Sequence, residues 1–121
     1  MEINRIKQIN ELTEVKKDDA VDLCGPLLSY DEEVILSFKS SFDKVLLTNK
    51  RIIIVHTENE NKEYMFLFYS RMAAFAIETK KQEEASSELK LWIIGLGEIL
   101  FSFKKDTDTI QIAELIGSHI K

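Results

Sequence analysis

The side chains that most often carry out catalysis or bind metals are few in this sequence, and they are far apart. His56 and His119, the only histidines, have no cysteine or carboxylate at the spacing of a metal site. Cys24, the only cysteine, has no recognisable histidine partner for nucleophilic chemistry. The paired acidic residues fall in predicted caps, edges and loops, and none is matched to a base. We therefore predict no catalytic residue, no cofactor site, no metal site and no enzymatic activity.

Glycine and aromatic residues also have a structural explanation here. The segment Gly95-Leu96-Gly97 is followed by Glu98 and not by the start of a helix, so it predicts a hairpin turn with positive φ and not a phosphate-binding loop. Trp92 and the seven phenylalanines are not interleaved with basic residues, which favours core packing over base stacking. The net charge of −5 argues against nucleic acid as a partner and makes an anionic membrane surface a less favoured one.

Two lysines nevertheless form a candidate contact for an anion or a lipid. Lys39 and Lys44 flank the first predicted β-hairpin and are expected to cluster near one rim of the folded domain. This arrangement is the basis of an alternative function, peripheral binding of anionic phospholipid head groups through that hairpin. The other interpretation of the same two residues is solvated surface charge.

The first 29 residues are predicted to form a helical segment. Asp18 is a good N-cap for a short second helical turn, and Gly25 followed by Pro26 supplies a stop signal. The first helix is predicted from apolar residues that recur every three positions between charged and amide residues. These residues are Ile3, Ile6, Ile9, Leu12 and Val15.

Beyond this segment the pattern changes to short apolar runs separated by turn-forming residues, which is typical of consecutive strands. Seven closely spaced strands without intervening helices favour an antiparallel barrel or sandwich. The apolar period then becomes helical, and Asp108 with Gln111 resembles a capping box. The predicted fold is one mainly β structural domain with additional helices, divided into residues 1–29, a helical segment, and residues 30–121, a β domain closed by a C-terminal helix. The predicted strands are 33–39, 43–48, 51–57, 63–69, 71–79, 88–94 and 98–104.

Three of the predicted strands are apolar on both faces, whereas a half-buried strand alternates apolar and polar residues. The clearest of these is the run Ile52-Ile53-Ile54-Val55. The terminal helices and a second subunit are expected to cover the outer faces, because large exposed apolar patches are rare on monomers. We predict self-association, with Ile52 and Ile54 as the candidate oligomer interface on the face of the strand away from the core.

The sequence is expected to belong to a cytoplasmic protein. A single cysteine cannot form an intramolecular disulfide, which suits a reducing compartment. The N-terminal residues carry charges every few positions and no continuous apolar run, which argues against a signal peptide or an anchor. No stretch approaches the roughly 20 apolar residues that a spanning helix needs.

Five segments of the β region form a recognisable series: residues 47–55 (LTNKRIIIV), 69–71 (YSR), 75–79 (FAIET), 87–93 (SELKLWI) and 101–105 (FSFKK). Taken in this order, they resemble the bacterial pleckstrin-homology-like (PH-like) domains. The resemblance implies a strongly bent, seven-stranded antiparallel β-barrel with one end plugged by the C-terminal helix. It also implies the absence of enzymatic activity and the formation of ring-like homo-oligomers. The loop at residues 80–86 (KKQEEAS) differs from the Gly- and Asp-containing loop that is frequent in the family.

Together these features predict a seven-stranded antiparallel PH-like barrel, capped by a C-terminal α-helix and preceded by an N-terminal helical segment. Its predicted function is that of a non-enzymatic protein-interaction module that binds copies of itself, with a protein partner as a further candidate. Eukaryotic PH domains bind phosphoinositides through basic loops at the open end of the barrel. The first such loop here contains only Lys39, Ser40, Ser41 and Lys44.

Overall fold

The computed structural model describes residues 8–16, 25–78, 87–104 and 107–119. These residues form eight β-strands and one α-helix, with short 3-10 turns at Gly25–Leu27 and Tyr69–Arg71. The strands are β1 (Gln8–Val15), β2 (Val34–Lys39), β3 (Asp43–Thr48), β4 (Arg51–Glu58), β5 (Asn61–Phe68), β6 (Met72–Glu78), β7 (Ser87–Ile93) and β8 (Gly97–Phe103), and the helix is α1 (Thr109–His119).

All eight strands belong to one sheet, in the order β5-β4-β3-β2-β1-β8-β7-β6. Neighbouring strands are antiparallel, except that β1 runs parallel to β8. The seven predicted strands correspond to β2–β8 and are confirmed. The prediction of a closed, wholly antiparallel, seven-stranded barrel is wrong in these details. The sheet contains an eighth strand, it is mixed, and β5 and β6 are the two edges among the described strands.

The eighth strand, β1, lies where the sequence predicted a helix, and that prediction is wrong. Ile9 and Leu12 are both buried in the core although they are three residues apart. Glu11 between them has φ +58°, and the pairing with β8 shifts register at this point, as in a β-bulge. The extra residue turns both side chains to the same face, so that a bulged strand shows the spacing of a helix. The second helical turn predicted from Asp18 lies outside the described residues.

The main core lies on one face of the sheet, and β4 contributes Ile52 and Ile54 to it. Ile54 faces Val45 of β3 and Met65 of β5 in the strand register, and all three are buried. Ile52 and Ile54 have exposed fractions of 1% and 0%. Their predicted position on the face away from the core is therefore wrong, because the cross-strand partners of these residues are core residues.

The opposite face of β4 carries a second buried cluster, in which Ile53 and Val55 are also almost completely covered. The guanidinium of Arg51 lies 4.7 Å from the centre of the Phe66 ring on this side of the sheet. Both faces of β4 are thus buried within a single chain, so this strand does not need a second subunit to cover it. The cluster consists of Val34, Leu46, Ile53 and Val55, with Leu28, Tyr64 and Phe66 packed against it.

Helix α1 packs against β6, β7 and the Tyr69–Arg71 turn. Its predicted cap is confirmed: the backbone N–H of Gln111 donates to Oδ1 of Asp108 at 3.0 Å. Ile112, Leu115 and Ile116 are buried against the main core, as the helical spacing predicted. The predicted hairpin turn between β7 and β8 is also confirmed, since Gly95 and Gly97 have φ of +85° and +96°.

Candidate functional site

The β2–β3 hairpin brings Lys39 and Lys44 together, as the sequence predicted. The two residues are direct cross-strand partners, and both are exposed. Phe42, at the tip of the hairpin, is 65% exposed. The hairpin therefore presents two ammonium groups and one aromatic ring to solvent on a short, two-stranded support.

Three contacts hold the hairpin tip. The backbone N–H of Ser40 donates to the carbonyl of Asp43 at 2.8 Å, which closes the turn. The N–H of Thr57 on β4 donates to the carbonyl of Phe42 at 2.8 Å. The carboxylate of Asp43 lies 2.7 Å from Nδ1 of His56, also on β4. The tip is thus fixed to β4 and not to β1, its other neighbour.

The imidazole of His56 lies among carboxylates that sequence reasoning did not connect with it. Its hydrogen bond with Asp43 raises the pKa of His56 above the usual 6.5, against the opposing effect of partial burial. Nε2 is 3.5 Å from a carboxylate oxygen of Glu58, which adds to the rise in pKa. The strand register also places Glu63 of β5 opposite His56. Cross-strand pairing is the signal that could have identified this cluster, because Asp43 and Glu63 both lie opposite His56 once the strand registers are known.

A polar cleft of about 660 Å³ separates the hairpin from the first half of β1. The cleft exists because only the end of β1, Thr13–Val15, pairs with β2. The earlier part of the strand pairs with β8 and diverges from β2 at the irregular residue Glu11. This cleft was not predictable from the sequence, since its walls come from three separate parts of the chain. The lining residues are Gln8, Asn10, Glu11, Thr13, Lys39, Ser40, Ser41, Phe42, Asp43 and Lys104.

A second, mainly apolar groove of about 370 Å³ runs along β5 at the edge of the sheet. It is lined by residues 64–68, Arg71 and residues 93–96. Phe68 and Ile94 in this lining are 49% and 58% exposed. Among the described strands, none pairs with the outer edge of β5. The groove thus combines exposed apolar side chains with an open strand edge.

A buried polar network fixes the segment before β2 to the β3–β4 hairpin. Two nitrogens of Arg51 donate to the carboxylate of Glu32, both at 2.9 Å, and the Thr48 hydroxyl donates to it at 2.6 Å. Burial opposes ionisation of Glu32, but the hydrogen bonds from Arg51, Thr48 and Ser29 outweigh it and hold the pKa of Glu32 below its usual value. The hydroxyl of Tyr69 donates to the Thr48 carbonyl at 2.7 Å. This network supports the fold, and its residues line neither the polar cleft nor the apolar groove.

Within the residues that the structure describes, no three His, Cys, Asp or Glu side chains converge in a way that would hold a metal ion. The same residues contain no helix with the length and apolar character needed to cross a membrane.

The chain is similar to an uncharacterized bacterial protein and to bacterial PH domains of known structure. It is 30% identical over 97 residues to the uncharacterized protein YjqA of Bacillus subtilis (strain 168), covering 76% of this chain and 78% of that protein. The crystal structure of a DUF1696 family protein with a pleckstrin-homology domain from Shewanella loihica PV-4 matches with a TM-score of 0.81 and 27% identity, over 93% of this chain and 99% of that one. A pleckstrin homology domain from Shewanella amazonensis SB2B matches with a TM-score of 0.69 and 26% identity, over 90% and 91% of the two chains. The family model described as "Bacterial PH domain" matches residues 5–120, and the chain therefore belongs to the bacterial PH domain family.

Proposed function

We propose that the chain is a non-enzymatic module of the cytoplasm that assembles with copies of itself and recruits a protein partner through its remaining surface. The observation that carries the proposal is the apolar groove at the open edge of β5, where Phe68 and Ile94 are exposed. PH domains are typically non-catalytic interaction modules, which supports the same conclusion. The cytoplasmic assignment rests on the single cysteine, which offers no intramolecular disulfide.

The two edges of the sheet provide a mode of assembly. Natural proteins protect strand edges with lysine, proline or bulges, because an open edge is a template for another strand. The apolar half of β5, residues 64–68 (YMFLF), has no charged residue and no proline, and neither do residues 74–77 (AFAI) of β6, which follow the register shift between Met72 and Ala74. Pairing of β5 of one copy with β6 of the next is a head-to-tail contact, and such contacts generate closed rings when the rotation between copies permits. We therefore propose a ring-like homo-oligomer.

The test compares two exposed apolar residues in different places. Phe68→Asp places a charge in the groove beside β5, whereas Ile110→Asp places the same charge at a residue of α1 that is 56% exposed and does not line the groove. Sedimentation velocity at tens of micromolar protein is expected to show a multiple of 14.0 kDa for the unmodified chain and for Ile110→Asp, and dissociation for Phe68→Asp. Far-UV circular dichroism verifies that both variants fold. A 14.0 kDa monomer for the unmodified chain, or equal dissociation of both variants, contradicts the proposal.

A second candidate function is peripheral binding of anionic phospholipid through the β2–β3 hairpin. It is favoured by the direct pairing of Lys39 with Lys44 beside the exposed ring of Phe42. The test is cosedimentation with vesicles of phosphatidylglycerol or of phosphatidylcholine. Salt-sensitive binding to the former alone is expected, with loss of binding in Phe42→Ser and in the Lys39→Glu, Lys44→Glu double variant. Equal binding to both vesicle types counts against this function.

A further inference from the structure

The strands β6, β7 and β8 turn one face to the main core and the other face outwards. On β7 the core face carries Leu89, Leu91 and Ile93, which are all buried. The alternate residues Lys90 and Trp92 point to the outer side, and so do their cross-strand partners. We call this outer surface the Trp92 face. It is formed by Ala74 and Ala76 of β6, Glu88, Lys90 and Trp92 of β7, and Glu98 and Leu100 of β8.

The Trp92 face has an apolar centre that is partly exposed. The indole of Trp92, for which the sequence favoured core packing, is 36% exposed, and Ala74 and Ala76 on β6 are exposed as well. The outer face of β4 differs, because Ile53 and Val55 are buried there within the second cluster. A sheet face with apolar side chains is normally covered by another layer of structure. The Trp92 face is therefore the part of the outer surface that is suited to a partner.

The dimensions of the Trp92 face suit one α-helix. Its width across three strands is two strand spacings, about 10 Å, which matches the diameter of a helix with its side chains. From Trp92 to Glu88, β7 extends about 13 Å, which is the length of about nine helical residues. Ala74 and Ala76 have small side chains, so a helix can approach this edge of the face closely. Two to three helical turns thus cover its apolar and acidic parts together.

The charges of these three strands are mainly negative. Glu98 is the cross-strand partner of Trp92, and Glu88 lies on the same face of β7 four residues before Trp92. Glu88 pairs in turn with Glu78 of β6, so a third carboxylate adjoins it. Among the residues of β6, β7 and β8, Lys90 is the only basic one. This balance favours a basic partner, as does the net charge of −5 of the whole chain.

We propose that the Trp92 face binds a basic amphipathic helix of a partner protein, with the apolar residues of the helix over Trp92 and its lysines or arginines beside Glu88 and Glu98. A second copy of the chain is disfavoured, because a two-fold contact through this face would bring glutamates against glutamates. The inference rests on the proposed recruitment of a protein partner and specifies the chemistry of that partner. It does not depend on self-association, since pairing through strand edges leaves the faces of the sheet free.

The test uses a synthetic amphipathic helix of about 18 leucine and lysine residues, and a control peptide in which glutamate replaces every lysine. Fluorescence anisotropy of the labelled lysine peptide is expected to saturate during titration with the full chain, with weaker binding at higher salt. Trp92 is the only tryptophan of the chain, so its emission reports on this face directly. Unlabelled lysine peptide is expected to shift that emission to shorter wavelength, and the glutamate peptide is expected not to bind.

Two double variants locate the binding. Glu88→Gln with Glu98→Gln is expected to weaken binding about fivefold, since each exposed charge contact contributes modestly. Glu60→Gln with Glu114→Gln is the matched control, because it also removes two exposed carboxylates, but from the β4–β5 turn and from α1. Its binding is expected to equal that of the unmodified chain. Far-UV circular dichroism verifies that both double variants fold.

Four outcomes overturn the proposal: no saturation at hundreds of micromolar chain, equal weakening in the two double variants, saturation without a change in Trp92 emission, or equally tight binding of the glutamate peptide. Sedimentation velocity of the same samples separates this result from self-association. A monomer that binds the lysine peptide at Trp92 contradicts assembly and supports this site. An oligomer that does not bind the peptide supports assembly and contradicts the helical partner.

Discussion

Replacing Glu32 with glutamine tests whether its buried ion pair holds the segment before β2 on the β3–β4 hairpin. The Glu32 side chain is completely covered and accepts hydrogen bonds from Arg51, Thr48 and Ser29. Glutamine keeps the shape but turns an NH₂ group towards these donors. Breaking a buried ion pair from one side costs about 3–5 kcal/mol. Arg51 is partly exposed and keeps its hydrogen bond to the Leu27 carbonyl, so we expect a loss of about 2–3 kcal/mol in the free energy of unfolding.

The chain contains a matched control for this experiment. Asp31 and Lys50 precede the two members of the buried pair by one residue each and form an ion pair of their own, but both side chains are exposed. Asp31→Asn is expected to cost far less stability than Glu32→Gln, because water screens an exposed ion pair. Urea unfolding followed by circular dichroism at one protein concentration measures both variants. With a slope of about 1.5 kcal/mol/M, the expected loss for Glu32→Gln lowers the urea midpoint by about 1.3–2 M.

The pH dependence provides a second readout of the same pair. Because the pKa of Glu32 is lower in the folded state than its ordinary 4.5, the carboxylate stabilises the fold above the unfolded pKa, and this contribution is lost as the pH falls through the folded pKa. The difference in the free energy of unfolding between the unmodified chain and Glu32→Gln should therefore become smaller under acid conditions. Two results would refute the assigned role of the ion pair: a free energy of unfolding that falls by less than about 1 kcal/mol at neutral pH, or a difference between the two proteins that is no smaller at a pH of about 3.

Four further substitutions test three separate local features. His56→Gln should lower the free energy of unfolding at a pH of about 5.5 and much less at a pH of about 8.5. The raised pKa of His56 in the folded state adds stability below the unfolded pKa of 6.5, and this stability is lost as the pH rises through the folded pKa. Equal shifts of the urea midpoint at both pH values would contradict this explanation. Gly95→Ala should cost about 1 kcal/mol, because Gly95 has a φ of +85° that alanine rarely adopts. Gly117→Ala should instead stabilise the fold by about 0.5–1 kcal/mol, because Gly117 lies in helix α1, where alanine is preferred. Thermal unfolding that shifted in the same direction for both variants would disprove this backbone explanation. Asp108→Ala should cost about 1 kcal/mol in urea unfolding through loss of the cap on Gln111, and an unchanged midpoint would show that the cap does not stabilise α1.

The strands β2–β8 and the helix were predictable because local signals decide them. Each strand is a short apolar run bounded by turn-forming residues, and the Asn49-Lys50 step and the Gly95-Leu96-Gly97 turn fix two of the hairpins. Asp108 marks the start of the helix by a contact that spans three residues. All these signals act within a few positions along the chain, so the sequence alone contains them.

The two faces of β4 show where local signals end. A period of two separates Ile52 and Ile54 from Ile53 and Val55, but both pairs are apolar and both are buried. Which pair faces the main core depends on the side of β4 on which the other strands and α1 bring their apolar residues together, a property of the whole fold. Periodicity therefore predicted two covered faces correctly and assigned the core to the wrong one.

The bulge at Glu11 links the misassigned strand to the cleft. It gives Ile9 and Leu12 their helix-like spacing, and it also turns β1 from β2 towards β8, a partner about 90 residues later in the chain. Without the bulge, β1 would continue alongside the β2–β3 hairpin, and backbone pairing would fill the space between them. The irregular backbone that concealed the strand from periodicity analysis is therefore the same feature that brings Lys39 and Lys104 to either side of one cleft.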